Sequence, residues 1–243
     1  MQSPACPMPL NFDSGIVQEL VDRSSPEYLN SNIRISIPDE IRKSSPTRVG
    51  DYVSGRNAAS HALQKLDAPI QVKRNPDGSP RWPQGITGSI SHTRRFAWVA
   101  VARQPGIASI GIDCEKIIDQ KIAEEIKDLV GNELEYKTLA SQFDFCSAAS
   151  MLFCGKESVY KCLNPLTNWP LDFHDVEFRS IDNNSITAFV DASRFSGPNR
   201  IEVEIKFGRH ELHLFSSCVL NQLAFRKDFR AYSDISHFEL LAQ

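Results

Sequence analysis

The stretch ASIGIDCEKI, residues 108–117, is an apolar run that alternates in the manner of a β-strand and ends in two acids. Successive side chains of a strand point to opposite faces, so Asp113 and Glu115 project together while Cys114 turns the other way. Two carboxylates on one face repel each other unless a positive group lies between them. The pattern therefore predicts a metal site at the strand end, or else a solvated strand end with Lys or Arg nearby.

Length and composition are typical of a soluble globular protein with one large domain or two small ones. The chain has 243 residues and a net charge of -3, so its overall charge does not favour nucleic acid or a membrane as partner. None of its six cysteines is in a CxxC pair or has zinc-site spacing with histidine. The N-terminus lacks the features of a secretory signal, and no apolar run approaches a membrane span. Reduced thiols in the cytoplasm are expected.

The rest of the chain predicts helices and strands in an α+β order. A helix is expected from Thr47 to Leu66, a helical region over 121–140, and a long helix over 147–163 that ends at Asn164-Pro165. The first 45 residues are expected to be irregular. Strands are predicted over 86–92, 96–102, 108–114, 185–191, 201–207 and 211–220. This order indicates two similar halves, residues 1–105 and 106–243.

The segment FCGKESVYK, residues 153–161, places Glu157 and Lys161 four residues apart, on one face of a helix. Such a pair is usually an ordinary exposed ion pair. Here the helix is unusually apolar around it, and the acid pair Asp113/Glu115 already requires a cation. Three carboxylates make a hard-oxygen site that suits Mg²⁺, which keeps waters and binds substrate phosphates.

The segment GSISH, residues 88–92, ends a predicted strand with Ser91 and His92. Adjacent strand residues face opposite ways, so the two are not a hydrolase pair. The sequence contains no G-x-S-x-G, Walker A or G-x-G-x-x-G motif. A hydrolase triad and the common nucleotide-binding loops are therefore poor interpretations.

Three ordered segments, GSISH, GIDCE and FCGKESVYK, together resemble the phosphopantetheinyl transferases, of the enterobactin synthase component D type. The segments GRNAA (55–59), PRWPQGITGSISH (80–92) and CLNPLT (162–167) extend the resemblance, which runs from about Thr47 to Trp169. The chain departs from the family at Gly155, where Ala or Ser is more usual. A glycine inside a helix costs about 1 kcal/mol against alanine, but it leaves Glu157 and Lys161 in register.

The resemblance implies transfer of 4'-phosphopantetheine from coenzyme A to a serine of an apo carrier protein, with 3',5'-ADP as the other product. It implies two similar α/β halves about a pseudo-two-fold axis, with coenzyme A in the cleft between them. Nucleotide contacts are expected in the first half, and metal and catalytic residues in the second. Asp113, Glu115 and Glu157 match the acidic metal positions, for Mg²⁺ or Mn²⁺. Lys161 matches the lysine that contacts phosphate, and Ser91 and His92 match the pair near the coenzyme A phosphates. Arg48, Arg56 and Arg74 match basic positions near the nucleotide.

Catalysis is expected to rest on Glu157, Lys161 and Asp113, with Glu157, directly or through a water on the metal, accepting the proton of the carrier serine. A different Mg²⁺-dependent enzyme, such as a phosphohydrolase, would use the same acids without needing a carrier. A non-enzymatic domain that binds coenzyme A or a carrier is the other alternative. The protein is expected to be a monomer. The sequence does not indicate whether the carrier serves siderophore, polyketide, peptide or fatty acid synthesis.

Overall fold

The computed structural model describes residues 8–25, 35–195 and 200–222, and all structural statements concern these residues. They form a mixed α+β protein, as the sequence predicts. The chain divides into two compact units, of which the first ends at Gln104 and the second begins at Pro105.

The first unit is built on a three-stranded antiparallel sheet. Its strands are β1 (Ile16–Asp22), β4 (Ile86–His92) and β5 (Phe96–Arg103), in the order β1-β5-β4. Strand β1 corrects the prediction that the first 45 residues are irregular. Its sequence IVQELVD alternates only weakly, and pairing with the buried strand β5, from Ile16↔Ala102 to Asp22↔Phe96, stabilises it as a strand.

Helix α2 (Pro46–Lys65) packs on this sheet and follows the short helix α1 (Asp39–Arg42). The side chain of Ser45 caps α2 by accepting the backbone N–H of Arg48, and Pro46 occupies the first turn, where its missing N–H costs nothing. Between α2 and β4 the short strands β2 (Lys73–Arg74) and β3 (Pro80–Arg81) form a hairpin. This hairpin lies within the predicted loop over 71–85.

The second unit is a five-stranded antiparallel sheet with three helices. The strands β6 (Ile107–Lys116), β7 (Val176–Asp182), β8 (Ser185–Val190), β9 (Ile201–His210) and β10 (His213–Asn221) follow the order β6-β10-β9-β8-β7. The predicted helical region over 121–140 is two helices, α3 (Gln120–Val130) and α4 (Glu133–Leu139). They separate at Gly131, and Asn132 starts α4 with a capping box to Glu135.

Helix α5 (Phe145–Thr167) corrects a predicted boundary, because it continues through Pro165 instead of ending at Asn164-Pro165. A proline removes one helical hydrogen bond and crowds the preceding turn. Leu166 and Trp169 are nevertheless buried in the core of this unit, and that packing outweighs the local cost. The helix stops at Asn168, which adopts a left-handed conformation.

The cysteines of the described residues are free thiols, and four of the five are buried. No helix in the described part of the chain is long and apolar enough to cross a membrane.

Candidate functional site

The acid pair of the opening stretch lies near the end of β6. Asp113 pairs with Ser216 of β10 and is only 2% exposed, whereas Glu115 pairs with Leu214 and is half-buried. Cys114 between them is fully buried. The strand therefore carries a buried and a half-buried carboxyl group on one face, and two like charges so placed repel each other.

Helix α5 brings Glu157 and Lys161 to these acids because it crosses β6 at Gly111. A Cβ atom at Gly111 would lie 1.9 Å from the carbonyl oxygen of Ser158 and 2.4 Å from the backbone nitrogen of Cys162. Only glycine allows the two backbones to approach so closely. As a result Lys161 Nζ lies 2.6 Å from Asp113 Oδ1, and the strand and helix motifs of the sequence meet at one place.

The pKa values of Glu115, Glu157 and Lys161 in this cluster are all raised above their ordinary values. Burial, reinforced by Asp113, raises the pKa of Glu115 to about 8. Burial also raises the pKa of Glu157, an effect that Lys161 opposes and Asp113 supports. For Lys161, burial acts to lower the pKa, but the ion pair with Asp113 outweighs it and raises the pKa above its ordinary value. Lys161 is therefore a fixed cation beside three crowded carboxyl groups.

This donor set fits a hard divalent cation. Carboxylate oxygens are the ligands that Mg²⁺ uses in proteins, and a bound cation would oppose the burial and the repulsion by Asp113 that together raise the pKa of Glu115. Within residues 8–25, 35–195 and 200–222, no three His, Cys, Asp or Glu side chains are already arranged to hold a metal ion. Asp113 is instead paired with Lys161 through Oδ1, so a metal ion on that oxygen would have to displace the lysine.

Four of the predicted coenzyme A contacts meet in the first unit. Arg48, Arg56, Arg74 and His92 line one cavity of about 120 Å³. Ser91 is not among the described residues that line this cavity, because it lies on the opposite face of β4 from His92 and is buried. Lys161, the sixth predicted contact, belongs to the second unit.

Arg56 is not exposed to solvent, although a charged side chain on a helix usually is. Its side chain is buried, and Nε donates to the carbonyl of Val72 at 3.1 Å. The guanidinium carbon lies 4.8 Å from the centre of the Tyr52 ring. Burial lowers the pKa of Arg56, with the neighbouring Arg74 and Arg48 acting in the same direction. The segment before β2 is thus fixed to α2 by a buried cation.

Two polar residues that line this cavity, Asp51 and Tyr52, were not predicted from the sequence. Asp51 binds Arg23 at 2.6 Å and lies 3.8 Å from Nδ1 of His92. Both residues lie three or four positions after Arg48 and four or five before Arg56. That helical spacing was the signal that could have identified them. A larger neighbouring cavity of about 350 Å³ shares Tyr52, Arg56 and Arg74 and includes Glu40 of α1.

A groove beside Glu157 was also not predicted. It has a volume of about 330 Å³ and runs between α5 and the segment 170–173. Its lining is mostly apolar and includes Tyr160, Leu171 and Phe173. Nothing in the local pattern of residues 170–173 indicates a groove, because its walls come from segments that only the tertiary fold brings together.

Comparison with known proteins identifies the family. The model of the 4'-phosphopantetheinyl transferase N-terminal domain matches residues 38–102, and that of the 4'-phosphopantetheinyl transferase superfamily matches residues 109–214. The cavity lined by Arg48, Arg56, Arg74 and His92, here called the basic cavity, lies in the first matched range. The three acids and Lys161 lie in the second.

Individual relatives agree with these matches. Enterobactin synthase component D of Salmonella typhimurium is 34% identical over 151 residues, which are 62% of this chain and 60% of that protein. The 4'-phosphopantetheinyl transferase Npt of Nocardia iowensis is 33% identical over 56% of this chain and 60% of its own length. PptT of Mycobacterium tuberculosis is 27% identical over 67% of this chain and 76% of its own length. The chain thus spans about 60% of the length of the first two relatives. The two motif regions and both family matches together place the chain in the 4'-phosphopantetheinyl transferase superfamily.

Proposed function

We propose that the protein transfers the 4'-phosphopantetheine group of coenzyme A to a serine of an apo carrier protein and releases 3',5'-ADP. The observation that carries this proposal is the convergence of Asp113, Glu115, Glu157 and Lys161 within the range matched by the superfamily model. Relatives named as 4'-phosphopantetheinyl transferases support the same reaction.

The basic cavity of the first unit supplies the phosphate-binding groups. Arginine presents a planar fork that binds a terminal phosphate with two hydrogen bonds. Arg48, Arg56 and Arg74 surround one cavity together with His92, and such a cluster suits the nucleotide phosphates of coenzyme A. Arg56 already donates from Nε to the carbonyl of Val72 and from Nη2 to the carbonyl of Lys73, so Nη1 is the nitrogen that would serve a phosphate.

Asp113, Glu115 and Glu157 are the residues that would hold the metal, Mg²⁺ or Mn²⁺. When bound, the ion neutralises charge on the pyrophosphate oxygens. Glu115 would be ionised in that state. Its raised pKa means that the carboxyl group otherwise keeps its proton near neutral pH, and a bound ion would take the place of that proton.

Glu157 is the proposed general base. Its pKa is raised by burial, which makes its carboxylate a stronger proton acceptor than an exposed one. Glu157 takes the proton of the carrier serine, and the serine oxygen forms a bond to the phosphorus of the pantetheine phosphate. The bond from that phosphorus to the bridging oxygen of the pyrophosphate breaks, and 3',5'-ADP leaves. Lys161 keeps its proton and stabilises the negative charge on the phosphate oxygens.

The partners and the setting of this reaction form part of the proposal. The acceptor is an apo carrier protein or carrier domain of a synthase for siderophores, polyketides, non-ribosomal peptides or fatty acids. The enzyme acts as a monomer in the cytoplasm. Its first unit contributes nucleotide contacts, and its second contributes the metal and catalytic residues.

The decisive experiment is intact-mass spectrometry of an apo carrier protein after incubation with the protein, coenzyme A and Mg²⁺. A gain of one phosphopantetheine that chelator abolishes supports the proposal, and replacing the acceptor serine of the carrier by alanine must prevent it. Glu157→Gln should lose the transfer, whereas Glu125→Gln, which removes an exposed acid of α3, should retain it. Release of 3',5'-ADP without any carrier would instead indicate a phosphohydrolase. Coenzyme A binding without transfer to several carrier classes would indicate a binding module.

A further inference from the structure

Lys156, the residue before the proposed base, forms an ion pair inside the second unit. Its Nζ lies 2.7 Å from Oε1 of Glu135, and each side chain is only 1% exposed. The two residues are 21 positions apart in the sequence and belong to α5 and α4. Neither has a role in the proposed chemistry, although both are fully withdrawn from water.

The pair makes further hydrogen bonds that tie separate segments together. Lys156 Nζ donates to the carbonyl of Phe173 at 2.9 Å. Oε1 of Glu135 accepts the backbone N–H of Phe178 in β7 at 3.0 Å, and Oε2 accepts that of Asn132 at 3.0 Å. Two charges therefore fix the start of α4, the start of β7 and the residue 173 carbonyl to helix α5.

Fold stability alone does not explain this arrangement. The desolvation of two charges offsets most of their attraction, and well-packed apolar residues of the same volume are often equally stable or better. A buried pair does, however, impose a defined geometry on the groups that it bonds. The geometry fixed here includes one wall of the groove beside Glu157, since Phe173 lines that groove.

A second contact holds the same wall. The rings of Phe153 and Phe173 lie 5.2 Å apart, so a residue one turn earlier on α5 packs against the side chain whose carbonyl Lys156 binds. Glu157 and Tyr160 form the opposite wall, on the helix itself. The width of the groove therefore depends on how firmly residues 170–173 are held to α5.

We propose that Lys156, held in place by Glu135, is a positioning residue that fixes the wall at residues 170–173 relative to Glu157. The inference rests on the proposed function only in taking Glu157 as the base. A wall displaced by about 1 Å would misplace whatever the groove holds against Glu157, and displacements of that size can lower a rate about a hundredfold.

The test replaces both charges at once, in the full chain, with Lys156→Met and Glu135→Gln. The double variant leaves no uncompensated buried charge, and the amide oxygen introduced by Glu135→Gln can still accept one of the backbone N–H groups. We expect kcat for carrier loading to fall about tenfold or more per folded molecule, with KM for coenzyme A changed less than about threefold. Amide hydrogen exchange in residues 171–177 should accelerate at the same time.

Lys137→Met is the matched control, because it removes the lysine of an exposed Lys–Glu pair on α4 and should change neither quantity. If the double variant does not fold, Phe153→Leu loosens the same wall without touching a charge and should show the same loss in kcat. A folded double variant, or a folded Phe153→Leu protein, with kcat within twofold of the unmodified protein would overturn the inference. If the unmodified protein loads no carrier, the proposed function fails. The positioning role is tested separately, because unchanged amide hydrogen exchange in residues 171–177 of the double variant would overturn it without any measurement of activity.

Discussion

At the scale of single residues, protonation of the Glu115 carboxyl group makes the stability of the fold depend on pH. Burial and Asp113 raise its pKa from 4.5 to about 8. Between these values the folded protein retains a proton that the unfolded chain has lost, so folding takes up a proton and stability falls as pH rises. We expect the midpoint temperature of thermal unfolding, measured with chelator present, to decrease as the pH rises from about 5 to about 8.

Two variants isolate the contribution of Glu115 to that slope. Glu115→Gln cannot ionise and should flatten the dependence of the unfolding midpoint on pH, whereas the exposed Glu125→Gln should leave it unchanged. Added Mg²⁺ should raise the midpoint most at the alkaline end, where ionised carboxylates bind it. An equally steep fall in Glu115→Gln would show that other groups cause the pH dependence.

A second residue, Glu40, would compete with a bound phosphate for the arginine side chains of the first unit. Its carboxylate lies 2.8 Å from Arg74 Nη1 and lines the larger cavity with Arg56. A phosphate that binds Arg74 must therefore displace an existing counter-ion. We expect Glu40→Gln to bind 3',5'-ADP about threefold to tenfold more tightly in calorimetry, an effect that weakens with salt.

Asp39→Asn is the matched control for Glu40→Gln. Asp39 is the neighbouring acid of α1, but its weak contact at 3.9 Å is to Arg42 and not to Arg74. Removing it changes net charge equally and leaves the Arg74 pair intact. An equal gain in affinity for both variants would mean that general charge, and not competition at Arg74, governs binding.

At the scale of elements, the close crossing of α5 over β6 is the contact on which the acid cluster depends. Gly111→Ala would place Cβ 1.9 Å from the carbonyl of Ser158, a backbone atom that cannot move without the helix. We expect overpacking to cost about 1–3 kcal/mol and to shift Glu157 and Lys161 away from Asp113. Thermal unfolding and carrier loading should both decline.

Gly106→Ala is the control for this substitution, because a Cβ at Gly106 meets nothing within 4 Å. It should change neither the unfolding midpoint nor the transfer rate by a measurable amount. If Gly111→Ala retained full stability and activity, the close crossing would not be what positions the two α5 residues.

The elements themselves were predictable where the local pattern was strong. Strand β4 has the predicted bounds, and β5 and β6 differ from prediction by one to three residues, because alternating or continuous apolar runs specify buried strands. Strand β1 was not predictable, since its pairing with β5 is supplied by residues some 80 positions away. The end of α5 was misjudged because burial of Leu166 and Trp169 outweighs the effect of Pro165.

At the scale of the whole molecule, motifs predicted more of the candidate site than of its surroundings. Spacing predicted that the acids and Lys161 share a site, whereas Arg48, Arg56, Arg74 and His92 were predicted only through the resemblance to the family. The Lys156–Glu135 pair and the groove were not identifiable in this way. Each depends on contacts between segments, such as Lys156 with Phe173, whose sequence separation leaves no periodic signal.

The two candidate clusters differ in charge and lie in different units, with arginines around a cavity in one and crowded carboxyl groups in the other. This division predicts that metal and nucleotide binding can be separated. If a metal binds as proposed, chelator should abolish transfer and weaken coenzyme A binding about tenfold or more, because the ion would neutralise charge on the pyrophosphate. The affinity for 3',5'-ADP, which has no pyrophosphate, should change less than about threefold in the same calorimetry.

Arg74→Met should show the converse behaviour, with 3',5'-ADP binding weakened about tenfold and Mg²⁺ stabilisation retained, because Arg74 lines the two cavities of the first unit and is not one of the acids proposed to hold the metal. Arg103→Met is its control, since Arg103 lies at the far end of β5, opposite Ile86 and not His92, and should leave both bindings unchanged. A collapse of 3',5'-ADP affinity on chelation would contradict the division, since it would mean that the nucleotide phosphates themselves require the metal that Asp113, Glu115 and Glu157 are proposed to hold.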